Sequence, residues 1–191
     1  MKIKLIAILV VVGLTIITSC KKAAKGETGP SGANGTSGGF THYLGESFNG
    51  GIIYYVYKGG DGVEHGLVVS LTESTTLAWQ TTGVLVNANR SWDGAYNTSL
   101  MTGSPAANYI ATLGSGWYLP SVDELSKLYN NRYDVNKALN AGGNTLLSTA
   151  GFYWSSTEFD ALSAYTFIFS VGYNDSRNKT FPYIIRGVRS F

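Results

Sequence analysis

The sequence predicts an α+β fold, with short helices packed on small antiparallel sheets. Three observations carry that prediction. Residues 51–71 hold two β-branched, aromatic runs punctuated by glycine, the pattern of a hairpin. Residues 104–141 hold two N-cap signals and a helical spacing of apolar residues. Residues 152–191 return to extended, aromatic-rich segments. Strands, then helices, then strands is the order of an α+β domain, not of alternating βαβ units.

The elements follow in order. Met1 to Lys4 is a short basic segment and Leu5 to Ile17 a nearly unbroken apolar run. That run is short of the ~20 residues a membrane span needs, so residues 1–19 are expected to be a secretory signal. Cys20, the sole cysteine, follows Thr18-Ser19. This resembles the bacterial lipobox, which implies cleavage before Cys20 and acylation of its sulfur and its new amino group. Three acyl chains would make a stable anchor. Residues 20–39 then form a tether with four Gly-X-Y triplets in register from Gly26. Two readings stand: a flexible Gly-rich linker, or a collagen-like stub that brings three chains together.

The body of the chain is residues 40–191. Gly51 to Tyr57 and Gly66 to Leu71 are expected strands, with Asp61-Gly62 near the hairpin tip. Residues 87–104 are polar and turn-rich, a long loop of the kind that often carries function. Ser104-Pro105 is an N-cap followed by Pro at the first helical position, predicting a helix over about 105–113. Ser121-Val122-Asp123-Glu124 is a capping box, and Leu125, Leu128 and Tyr129 share one helical face. Asp134 is expected to cap a further helix over 135–141, closed by Gly142. Residues 152–156 and 164–170 are expected strands, 172–182 a turn-rich connection and 183–191 a final strand.

Composition excludes several functions. With 13% aromatic and 14% charged residues, the chain is not disordered. One cysteine and two histidines exclude a disulfide framework and disfavour a multi-histidine metal site. The whole chain carries a net +2, but residues 40–191 carry nine basic and eleven acidic side chains. A net −2 disfavours nucleic-acid binding, which needs clustered Lys and Arg.

Five ordered segments carry a family resemblance: residues 50–56 (GGIIYYV), 65–70 (HGLVVS), 117–125 (WYLPSVDEL), 153–158 (YWSSTE) and 185–191 (IRGVRSF). Together they resemble the Lcl C-terminal domain family, the C-terminal domain of a bacterial collagen-like adhesin. They are also similar to the Fibrobacter-type major paralogous domains. The resemblance spans residues 43–191 and implies a C-type-lectin-like fold. It implies a lipid-anchored binding module at the outer membrane or cell surface, with adhesin-like recognition of a glycan or protein. The alternative class is a structural envelope protein acting by self-association. A third class, an enzyme of the formylglycine-generating type, needs thiols that residues 40–191 lack, so no catalysis and no cofactor are expected. The tripeptide signatures of calcium-dependent lectins are missing, so no bound metal is expected.

Candidate ligand residues fall in two places. Trp92, Asp93, Tyr96 and Asn97 lie in the long loop, where aromatic faces could stack on sugars and amides bond hydroxyls. Tyr173, Asn174, Arg177 and Lys179 lie in the last connection, where Arg fits a carboxylate or sulfate bidentately. Against these stand the bland readings, a loop stapled by its own aromatics and a solvated hairpin tip. Trp117 and Trp154 are expected in the core, and Pro120, Ser121 and Glu124 as fold devices. Arg186 and Arg189 have opposite-face spacing, so at least one is expected to pair internally, with Glu158 or Glu124 as partner.

Overall fold

The computed structural model describes residues 39–191. The expected signal segment, Cys20 and the tether up to Gly38 lie outside the described residues. In chain order the elements are β1 (Ser47–Phe48), β2 (Gly51–Lys58), β3 (Glu64–Glu73), β4 (Leu77–Ala78), α1 (Gly94–Leu100), α2 (Pro105–Thr112), α3 (Val122–Asn130), α4 (Arg132–Ala141), β5 (Phe152–Glu158), β6 (Ser163–Ile168), β7 (Tyr173–Asn178), β8 (Pro182–Tyr183) and β9 (Arg186–Ser190). This is the expected α+β class. The strands form three antiparallel sheets, ordered β1-β2-β3-β9, β4-β8 and β5-β6-β7.

Local signals explain most helix ends. Ser104 Oγ accepts from Ala107 N, with Pro105 at the start of α2. Ser121 and Glu124 close a reciprocal capping box on α3, which satisfies two orphan donors at once. The expected start of α4 is corrected. Its N-cap is Asn131, which is also the C-cap of α3, so Asp134 sits inside the first turn.

Two cores form. One lies where Ile52, Tyr54, Leu67, Val69 and Val188 of the large sheet meet Leu125, Leu128, Val135 and Leu139 of α3 and α4. The other gathers around Trp79, Met101, Ile110, Trp154 and Ile185. The two indoles tie β4 and β5 reciprocally. Trp79 Nε1 donates to Ser155 O at 2.8 Å, and Trp154 Nε1 donates to Leu77 O at 3.0 Å. A buried indole N–H usually finds such a partner, since a donor left unpaired costs free energy against the burial of the ring. Trp117, expected in the core, is only half-buried.

Two expected loops are partly regular. The 87–104 loop contains α1, and the 172–182 connection contains β7, the edge strand of its sheet. The expected final strand is broken at Ile184-Ile185 into β8 and β9.

Candidate functional site

The concave surface with the richest chemistry starts from a flaw in a strand. Between Ile53 and Tyr55 the β2–β3 register slips: Ile53 pairs with Val68, but Tyr55 pairs with Leu67. Tyr54 is the extra residue of a β-bulge. A bulge re-aims the side chains that follow it. Here it brings Tyr55 and Tyr57 onto the face of Leu67, the face that packs on α3. Their rings stack with centroids 5.5 Å apart. With Leu67, Trp92, Glu124 and Lys127 they line a cleft of about 230 Å³.

Trp92 is the most exposed member, at 67%. Its backbone is held firmly. Asn97 is fully buried, accepts from Arg90 N at 3.1 Å and donates to Arg90 O at 2.6 Å. Asp93 caps α1 by accepting from Tyr96 N, and pairs with the Arg90 guanidinium at 2.8 Å. That guanidinium lies 3.3 Å from the Tyr96 ring centroid and covers its face. Ser91 is tied to α3 through Asp123, by backbone and side chain. So the 92–97 candidates divide. Trp92 lines the cleft, while Asp93, Tyr96 and Asn97 position the segment.

Glu124 sits at the cleft floor, nearly buried. Its carboxylate accepts from Tyr118 Oη at 2.9 Å and Ser121 N at 2.7 Å. Burial pushes its carboxyl above the ordinary range, and those hydrogen bonds only partly offset this. A Cβ at Gly94 would collide with this carboxylate, so α1 approaches it only through glycine. Lys127 Nζ lies 5.3 Å from the Tyr55 ring, close enough for a cation–π contact.

The C-terminal candidates do not assemble. Lys179 is a correction: it is fully buried, not on a hairpin tip. Its ammonium donates to Glu158, Val84 O and Ala161 O, which uses all three protons. Glu158 in turn accepts from Val86 N and Asn87 N. Arg186 is also fully buried, but its carboxylate is Glu73 at 3.2 Å, not Glu158 or Glu124. Ser70 O and Thr145 O take its remaining donors. Burial pushes the Glu73 carboxyl above its ordinary range despite this cation. Arg177 pairs with Asp175 two residues away at 2.7 Å. Tyr173 and Asn174 are exposed on β7. Arg189 projects elsewhere, its guanidinium 5.4 Å from the Trp117 ring. The basic cluster of the sequence is therefore dispersed over the fold.

Sequence reasoning missed Tyr55, Tyr57 and Lys127 as cleft residues. The alternation of a strand gave no sign of the bulge that turns the tyrosines. Lys127 could have been found three residues beyond Glu124, on an adjoining part of the same helix face. Among the described residues, no group of three or more His, Cys, Asp or Glu could hold a metal ion. Among them also, no helix is long and apolar enough to cross a membrane.

Residues 70–189 match the Lcl C-terminal domain. The chain belongs to the Lcl C-terminal domain family. The matched region of this Lcl C-terminal domain contains Trp92, Glu124 and Lys127 but begins after Tyr55, Tyr57 and Leu67. The chain is also similar to a fimbrial protein from Bacteroides ovatus known from its crystal structure, at 20% identity and a TM-score of 0.57. The similarity covers 69% of this chain and 37% of that protein, so the chain spans well under half its length. At that identity the likeness is one of fold. No curated protein matches the chain.

Proposed function

We propose that this protein is a non-catalytic, adhesin-like module of the cell surface that binds a glycan in the Tyr55–Tyr57–Trp92 cleft. One observation carries the reading: an exposed indole beside two stacked tyrosines, with a carboxylate and an ammonium in the same cleft. Aromatic faces pack on the C–H faces of pyranose rings, and a few placed polar groups fix orientation. Membership of the Lcl C-terminal domain family and the fold shared with a fimbrial protein support a surface role. Secretion through residues 1–19 and lipid anchoring at Cys20 belong to the same proposal. In the same proposal residues 20–39 serve either as a linker or as a three-chain stub.

The test is a glycan array probed with the full chain in detergent, with calcium and with chelator. Selective signals that survive the chelator and vanish on Trp92→Ala are expected. An empty array, or signals indifferent to Trp92→Ala, overturns glycan binding at this cleft.

A second reading, self-association, rests on a different observation. Val84, Leu85, Phe159 and Leu162 are exposed apolar residues on two adjoining loops, which Lys179 ties together. Light scattering of the full chain tests it. A higher oligomer dissolved by Leu85→Glu and Leu162→Glu would favour it.

A further inference from the structure

A larger groove, of about 500 Å³, lies away from the aromatic cleft. Val188 points into the first core. Arg189 follows it in β9, so it projects from the opposite face of the strand. Its groove is lined by Asn49, Gly50, Ser70, Thr72, Trp117 and itself, among others.

Among the described residues no carboxylate answers the charge of Arg189, whose guanidinium lies over the Trp117 ring. Arg90, Arg177 and Arg186 each face a carboxylate within 4.0 Å, and Arg132, which has none among the described residues, lies over the Tyr129 and Tyr133 rings. Arg189 faces none among the described residues. Among the described residues its guanidinium makes one long hydrogen bond, to Asn49 O at 3.3 Å. Its Nε is shielded from solvent and has no partner among the described residues. A partly desolvated guanidinium without a counter-charge favours an anion, and its planar fork favours a carboxylate.

Trp117 stands beside it as a fixed platform. The ring is wedged between two strand glycines: a Cβ at Gly51 would lie 3.0 Å from Cη2, and one at Gly187 3.5 Å from Cε3. Asn49 and Gly50 both have positive φ, at 46° and 80°, the geometry of a tight hairpin turn. That turn sets the exposed Asn49 at the groove, across from the exposed Thr72. An unanswered guanidinium, an aromatic platform and polar rim groups occur together in one groove.

We propose that this groove binds a carboxylated saccharide, with the carboxylate on Arg189 and the pyranose ring against Trp117. The site is independent of the aromatic cleft.

The full chain is titrated with methyl glucuronoside, methyl glucoside and acetate, and the Trp117 indole and Arg189 Nε–H resonances are followed by NMR. Glucuronoside is expected to shift both, and to bind about tenfold or more tightly than either control. Arg189→Gln should remove that preference. Asn49→Asp keeps a residue that tolerates positive φ and sets a carboxylate beside Arg189, so it should weaken glucuronoside binding by a similar factor. Trp92→Ala should leave it unchanged. Equal response to glucoside, equal affinity for acetate, no response at all, or insensitivity to Asn49→Asp in a folded variant would each overturn the proposal.

Discussion

Residues 92–97 and 173–179 look alike as sequence: polar, turn-rich, with aromatics and amides in reach of one another. The fold uses them in opposite ways. The first is stapled from within, by Asn97 on Arg90 and by Asp93 on α1, so that a single indole is held out over a concave surface. The second is consumed by the fold. Most of it is the edge strand β7, Arg177 is answered by Asp175, and Lys179 is drawn inside onto Glu158. A polar residue in a turn-rich stretch carries no label saying whether it faces solvent. What separates the two regions is the partner each meets: residues 92–97 bond mainly within the segment that begins at Arg90, while Lys179 meets Glu158 of β5.

Breaking the second region should cost most. Lys179→Met would leave Glu158 buried and charged, and should destabilise the fold by about 3–5 kcal/mol in denaturant unfolding. The double variant Lys179→Met, Glu158→Gln should recover part of that loss. Next comes Asn97→Ala, which strips two buried hydrogen bonds from the Arg90 backbone. It should cost about 1–3 kcal/mol and loosen the support of Trp92. Glycan binding should then weaken even where the variant remains folded.

Trp92→Ala sharpens the contrast. It removes an exposed side chain, so stability should change by no more than about 0.5 kcal/mol while binding falls about tenfold or more. Arg177→Ala should be silent in both readouts, since its exposed pair with Asp175 contributes little.

The smallest measurable effect is that of pH. Burial holds Glu73 and Glu124 above their ordinary value of 4.5. The folded chain therefore keeps protons that the unfolded chain has released. Stability from these groups falls as pH rises from about 4.5 through the raised values, and is not lost on acidification through that window. Thermal unfolding across pH 4.5 to 7 checks this, and Glu124→Gln should flatten the slope.

The legible parts of the fold were the local ones. The Ser121–Glu124 box and the Ser104-Pro105 start lie within four residues of what they cap, and both stand where the sequence puts them. The hairpin of β2 and β3 was legible for the same reason, except for its bulge. Tertiary pairing made the rest. β7 reads Tyr-Asn-Asp-Ser-Arg-Asn, and after its tyrosine come weak strand formers that become a strand because β6 supplies a ladder. The helix α1 has few apolar residues and is set by Asp93 and by contact with Glu124 at Gly94. At the candidate site, Trp92 was legible as an aromatic in a polar stretch. Tyr55 and Tyr57 were not, because one extra residue in β2 decides which face they occupy.

The most direct test of this account is saturation-transfer NMR on the full chain with a panel of neutral monosaccharides: glucose, galactose, mannose and N-acetylglucosamine. The account predicts transfer to at least one sugar that disappears in Trp92→Ala and persists in Arg177→Ala. Transfer that persists without Trp92 and disappears without Arg177 would contradict it, and would return the site to the C-terminal strand.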